Sequence, residues 1–152
     1  KWMQAIRIYE IPKGRMVSSG AAMFGDGKLE RFCQWFSAQP SEMFPRDFLF
    51  WDDSDPGQTG FHWLYTYREG TEVPEDFEIV DFCGGLYAVA TDIDGRTDQE
   101  AMRLAVDAFL ASNGLVRDGS RRELGNVITS PAARKILGYS QMDYYTPVKP
   151  RA

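Results

Sequence analysis

The feature of this chain that most constrains its fold is an order of predicted elements that occurs twice. Hydrophobic periodicity predicts a strand, a helix and two further strands in each half, with halves at about residues 3–75 and 76–149. The predicted elements lie at residues 3–19, 26–39, 48–51 and 61–67, and then at 77–93, 98–113, 123–129 and 143–148. Asp26 and Asp98 are suited to cap the two helices, which Pro40 and Gly114 would end.

The two halves also share residues at corresponding positions. Tyr65-Thr66 matches Tyr145-Thr146, and four residues of the first predicted strand match four of the fourth: Ile8, Glu10, Ile11 and Gly14 against Ile79, Asp81, Phe82 and Gly85. One such unit alone would leave a sheet face and a helix stripe poorly buried. We therefore predict a single α+β domain over residues 1–152, with both helices on one face of an antiparallel sheet and a ligand groove on the other.

The charge and the rare residue types exclude several classes of function. The formal net charge is −5 and no basic stripe is present, so we expect no direct contact with nucleic acid. Two cysteines and one histidine without metal-ligand spacing predict no metal and no cofactor, and we assign no catalytic residue. No apolar run reaches membrane-spanning length and no signal-peptide pattern occurs, so we expect a cytoplasmic protein without a membrane partner.

The strand at residues 61–67 carries an aromatic stripe. Its period of two places Phe61, Trp63, Tyr65 and Tyr67 on one face and His62 on the other. Such a stripe is compatible with ordinary packing of a sheet face, or with a pocket wall that offers flat apolar area and polar tips. We favour Trp63 and Tyr65 as wall residues of a small-molecule site and assign His62 no role.

Several segments in a fixed order resemble the GyrI-like, AraC-type effector-binding domains. The matching segments are residues 65–73 (YTYREGTEV), 77–78 (FE), 84–89 (GGLYAV), the helix 100–113 with Gly114-Leu115 after it, and 143–149 (DYYTPVK). The resemblance implies two strand–helix–strand–strand units around one groove, with Tyr87 and Tyr145 as further wall residues. It also implies that Glu123 lies at the bottom of the groove and meets cationic, aromatic ligands. An aromatic residue often follows that glutamate by two positions in the family, whereas Gly125 stands here.

Two readings of Glu123 remain open at this point. A strand glutamate near Arg121 and Arg122 is commonly an exposed, ion-paired carboxylate. A buried carboxylate in an apolar groove would instead favour cationic ligands, because a cation restores the interaction that burial removes.

The resemblance leaves three functions to compare. The first is an effector-binding sensor at the C-terminus of a bacterial transcription regulator. The chain begins at Lys1 rather than Met, so we expect a missing upstream domain to contact DNA. The second is a hydrolase of strained or electrophilic small molecules, with Glu123 as acid or base beside Tyr65 or Tyr87. The third is a gyrase-inhibitor-like module that binds protein through an exposed patch.

Overall fold

The computed structural model describes residues 5–40 and 47–152 and is α+β, as predicted. The described strands, in chain order, are β1 (Arg7–Ile11), β2 (Gly14–Ser18), β3 (Asp47–Asp52), β4 (Gly60–Thr66), β5 (Glu78–Phe82), β6 (Gly85–Ile93), β7 (Leu115–Arg117), β8 (Leu124–Val127) and β9 (Gln141–Pro150). The described α-helices are α1 (Lys28–Ser37), α2 (Gln99–Ser112) and α3 (Pro131–Leu137), and a 3-10 turn covers Pro56–Gln58.

These elements form two compact units. The central unit covers residues 13–83, and the terminal unit combines residue 12 and the described residues before it with residues 84–152. The unit boundaries divide both long predicted strands. The strand predicted at residues 3–19 becomes β1 and β2, and the strand predicted at 77–93 becomes β5 and β6. Met3 and Gln4 lie outside the described residues. The halves 3–75 and 76–149 concern the repeated sequence and stay a prediction.

The central unit is an antiparallel sheet with strand order β3-β4-β2-β5 and α1 packed against it. Val17, Phe32 and Phe77 form its buried core. The predicted cap of α1 is wrong by one residue, because Gly27 is the N-cap. Asp26, one residue earlier, still accepts a hydrogen bond from the Lys28 N–H through its Oδ1 at 3.0 Å. This hydrogen bond satisfies one of the backbone N–H groups that the first turn of α1 leaves without a partner.

The terminal unit is an antiparallel sheet with strand order β1-β6-β9-β8, and the short β7 also pairs with β9. The helix α2 covers one face with the apolar residues that its periodicity predicted, including Met102, Val106 and Leu110. Asp98 caps α2 as predicted, accepting a hydrogen bond from the Ala101 N–H at 3.0 Å. The short helix α3 and the short strand β7 lie outside the predicted elements.

Within residues 5–40 and 47–152, no helix combines the length and the apolarity that crossing a membrane requires.

Candidate ligand-binding site

Strand alternation divides the residues of the terminal sheet between two faces. Ala88 and Ala90 of β6 pack in the core beneath α2, and Val148 of β9 joins them. Side chains alternate along a strand, so Tyr87 and Tyr145 point to the opposite face. We call this the α2-distal face. Its members on neighbouring strands are paired in register as Arg7 with Val89, Tyr9 with Tyr87, Val89 with Tyr145, Thr91 with Asp143, Leu124 with Tyr145, and Asn126 with Asp143.

Two of the predicted site residues meet on the α2-distal face. The rings of Tyr87 and Tyr145 lie 6.1 Å apart at 83°, which is an edge-to-face arrangement. Tyr87 is only 1% exposed, and the guanidinium of Arg121 lies 4.8 Å from its ring centroid. The structure therefore brings Tyr87 and Tyr145 together and places a cation against one of them.

Hydrogen bonds fix the position of Arg121. Its guanidinium donates to three backbone carbonyls, those of Gly84 (3.2 Å), Leu86 (2.8 Å) and Val148 (2.9 Å). Its Nε donates to Oδ2 of Asp118 at 3.0 Å. Hydrogen bonds from Ser120 and then from Arg121 lower the pKa of Asp118 to about 2. Arg121 is thus a rigid part of the aromatic end of the face.

Gly85 makes room for this arginine. Its φ is +126°, and a Cβ at this position would lie 2.5 Å from Nη1 of Arg121. A side chain is therefore excluded at residue 85 both by backbone conformation and by space.

The α2-distal face also carries a buried acid that the sequence analysis missed. Asp143 is 5% exposed, and its Oδ1 accepts hydrogen bonds from Thr91 Oγ1 at 2.5 Å and from Arg7 Nη2 at 3.3 Å. The Arg7 side chain is 38% exposed and also lies 5.0 Å from the Tyr9 ring centroid. The period of two in β9 could have revealed Asp143, because it lies two residues before Tyr145 and so shares its face.

Glu123 does not lie at the bottom of a groove. Its side chain is 71% exposed, and its Oε1 lies 3.1 Å from Nη1 of Arg117. The Nε of Arg117 in turn lies 2.8 Å from Oδ1 of Asp107 in α2. The predicted burial is therefore wrong. The reason is a shift of one residue: Leu124 lies opposite Tyr145, so Leu124 and Asn126 occupy the α2-distal face in place of Glu123 and Gly125. An exposed carboxylate with an arginine partner also avoids the desolvation cost of burial.

Glu123 nevertheless shares a small cavity with Tyr145. This cavity of about 240 Å³ lies beside α2 in the terminal unit. Its volume is below the roughly 300 Å³ at which typical small-molecule pockets begin. It is therefore smaller than the pockets that hold drug-sized ligands.

Trp63 and Tyr65 lie in the central unit and face α1. The ring centroid of Phe36 in α1 lies 5.2 Å from that of Trp63 and 5.4 Å from that of Tyr65, on which it stacks. The Trp63 Nε1–H donates to Oδ2 of Asp47 at 3.1 Å. Both residues therefore face α1 and not a groove away from the helices, although Tyr65 also lines a cavity at the end of β4. The aromatic stripe packs against the helix, because this buries the largest apolar area of β4.

Among the described residues, no group of histidine, cysteine, aspartate and glutamate side chains is arranged to hold a metal ion.

Comparison with known proteins identifies the family. The family described as GyrI-like small molecule binding domain matches residues 26–148. No curated protein matches the chain.

Three solved structures share the fold at very low sequence identity. EcmrR in its DNA complex within EcmrR-RPo has a TM-score of 0.65 at 9% identity, and the match covers 98% of this chain and 58% of EcmrR. A hydrolase from Listeria innocua has a TM-score of 0.62 at 9% identity, covering 95% and 91%. SAV2435 bound to tetraphenylphosphonium has a TM-score of 0.51 at 8% identity, covering 95% and 94%.

These similarities differ in what they establish. The chain spans little more than half of the EcmrR chain in that complex, and at 8–9% identity the solved structures show the fold alone. The family match covers most of the sequence, from Asp26 just before α1 to Val148, the last buried residue of β9. The chain belongs to the family of GyrI-like small molecule binding domains.

Proposed function

We propose that this domain binds an aromatic cation on the α2-distal face and acts as the sensor of a bacterial transcription regulator, which would work in the cytoplasm. The observation that carries the proposal is the buried carboxylate of Asp143 on the same sheet face as the Tyr87–Tyr145 pair. Aromatic rings attract a cation through their faces, and a buried carboxylate complements its charge.

Arg7 already supplies a cation of this kind. Its guanidinium is planar and delocalised, and it pairs with Asp143 at 3.3 Å from a side chain that is 38% exposed. Arg7 and Tyr9 are the more exposed members of the face, so we expect a ligand to enter along β1. A cationic ligand that displaces Arg7 preserves the charge balance at Asp143, whereas a neutral or anionic ligand leaves this carboxylate without its counter-ion.

The structural neighbours support both parts of the proposal. SAV2435 was solved with tetraphenylphosphonium, an aromatic cation, and the C-terminal domain of EcmrR matches 98% of this chain with a TM-score of 0.64. EcmrR itself was solved with DNA. Because this chain has a net charge of −5, we assign contact with DNA to another domain of the regulator.

The test compares two ions of the same shape and opposite charge. Tetraphenylphosphonium and tetraphenylborate are titrated into the protein by isothermal calorimetry. We expect the cation to bind at least about tenfold more tightly than the anion, equivalent to roughly 1.4 kcal/mol. Equal affinities for the two ions would contradict the proposal.

Three substitutions locate the binding site. Asp143→Asn should weaken binding of the cation about tenfold, whereas Arg7→Gln should strengthen it, because the internal competitor is removed. Asp94→Asn removes the same charge from an exposed turn and should leave the affinity unchanged. If Asp143→Asn fails to fold, Arg7→Gln still tests the site, and an unchanged affinity in Arg7→Gln counts against it.

Hydrolysis is the alternative function, because a structural neighbour from Listeria innocua is described as a hydrolase. The Glu123 that this mechanism would use is exposed and paired with Arg117, and this gives it little support. Mass spectrometry of the recovered ligand separates the two functions. A sensor returns the ligand unchanged, and a hydrolase returns a product whose yield falls when its acid or base is replaced.

A further inference from the structure

The central unit contains a cavity of about 790 Å³, within the roughly 300–1,000 Å³ of small-molecule pockets. It lies between the end of α1, the end of β4 and the loop at residues 68–74. Its lining residues are Trp35, Gln39, Pro40, Tyr65, Thr66 and 68–74. None of these residues belongs to the α2-distal face, so the cavity is separate from the site proposed above.

Two aromatic rings form one corner of this cavity. Trp35 and Tyr65 lie 5.8 Å apart at 79°, so their planes are nearly perpendicular. Each ring packs against a further aromatic ring. Phe36 stacks on Tyr65 with the ring centroids 5.4 Å apart, and Phe32 packs against Trp35 with the centroids 5.6 Å apart. The corner is therefore rigid before any ligand arrives, which reduces the entropy that binding would cost.

The loop across the cavity is tied to the same corner. The Trp35 Nε1–H donates to the carbonyl of Glu72 at 3.2 Å, and the Thr71 N–H donates to the carbonyl of Arg68 at 3.0 Å. Gly70 between them has a φ of +88°, a conformation that favours glycine. These contacts set the distance between the rings and the charged residues of the loop.

The charged lining is acidic overall. The lining residues include Glu69, Glu72 and Arg68, so their formal net charge is −1. Perpendicular aromatic rings beside carboxylates are the arrangement that recognises quaternary ammonium groups, because both the ring faces and the acids attract the cation. We propose that this cavity binds a quaternary alkylammonium cation, with Trp35 and Tyr65 holding the methylated head and Glu72 supplying the charge.

The test uses choline and its uncharged carbon isostere, 3,3-dimethyl-1-butanol. Binding is followed by the NMR signal of the Trp35 indole N–H, which the variant Trp35→Phe identifies. We expect choline to shift this signal saturably and the isostere to bind at least about tenfold more weakly. Equal shifts at equal concentrations would overturn the proposal.

Substitutions assign the interaction to the rings and the acid. Glu72→Gln should weaken choline binding several-fold, whereas Glu75→Gln, an exposed acid that does not line the cavity, should not change it. Tyr65→Phe should retain binding and Tyr65→Leu should lose it, because only the former keeps the ring. Identical affinities in Glu72→Gln and Glu75→Gln would refute the charge role even if Tyr65→Leu does not fold.

The same experiments separate this site from the proposed sensor site. Asp143→Asn should leave the choline affinity unchanged. If Asp143→Asn abolishes the choline shift, the central cavity is not a site of its own and the proposal fails. Loss of tetraphenylphosphonium binding alone would affect only the sensor proposal.

Discussion

Replacing Gly85 with alanine should destabilise the domain through two separable effects. The first is backbone strain, since residue 85 has a φ of +126° that residues with a Cβ rarely adopt. Such conformations cost on the order of 1–3 kcal/mol. The second is the contact of the new Cβ with Arg121, which lies 2.5 Å away and cannot stay in place.

Moving Arg121 weakens its hydrogen bonds to the carbonyls of Gly84, Leu86 and Val148. A hydrogen bond that involves a charged group contributes about 1.5–3 kcal/mol. Loss of one of these bonds, added to the strain, gives an expected destabilisation of about 2.5–6 kcal/mol for Gly85→Ala. This is a large fraction of the roughly 5–15 kcal/mol by which a domain is stable.

Two other glycines provide matched controls. Gly95 has a φ of +77° but no atom within 4 Å of an added Cβ, so Gly95→Ala should show the strain alone, about 1–2 kcal/mol. Gly119 has neither a positive φ nor a close neighbour, so Gly119→Ala should be neutral or slightly stabilising.

Urea unfolding with a common m-value measures the three variants on one scale. The expected order of destabilisation is Gly85→Ala, then Gly95→Ala, then Gly119→Ala. If Gly85→Ala costs no more than Gly95→Ala, Arg121 moves aside freely and its described role in holding the Tyr87 end of the face is wrong.

Two further predictions concern carboxylates. The pKa of Asp118 is lowered from 3.8 to about 2, so its stabilising contribution is complete above the ordinary pKa and is lost as the pH falls towards 2. The stability difference between wild type and Asp118→Asn, measured by urea unfolding, should therefore be constant near neutral pH and disappear in acid; a pH-independent difference would contradict this. Asp98→Ala removes the cap of α2 and should cost about 1 kcal/mol in the same assay, and an unchanged midpoint would mean that the Ala101 N–H finds another acceptor.

Local features of the fold were accessible from the sequence because neighbouring residues determine them. Asp98 and the apolar spacing of α2 predicted that helix correctly, since a cap and a 3.6-residue period act over a few positions. Alternation in β4 likewise predicted that Trp63 and Tyr65 share a face. It did not predict which face meets α1, because the opposite face is also partly buried, with Leu64 in its centre.

The functional residues depended on contacts across the sheet. Glu123 and Leu124 are neighbours in sequence, and a difference of one position in register decides which of them joins the α2-distal face. Asp143 acquires its role from Arg7 and Thr91, which are 136 and 52 positions away in the chain. Alternation in β9 can indicate the face on which Asp143 lies, but neither partner can be inferred from local spacing, so its ion pair became visible only in three dimensions.

The measurement that tests the central claim most directly is a crystal structure of the domain grown with tetraphenylphosphonium. The proposal predicts the phosphonium on the α2-distal face, within about 6 Å of the Asp143 carboxylate or a tyrosine ring, with the Arg7 guanidinium withdrawn from Asp143. A cation bound elsewhere, with Arg7 still 3.3 Å from Asp143, would contradict it.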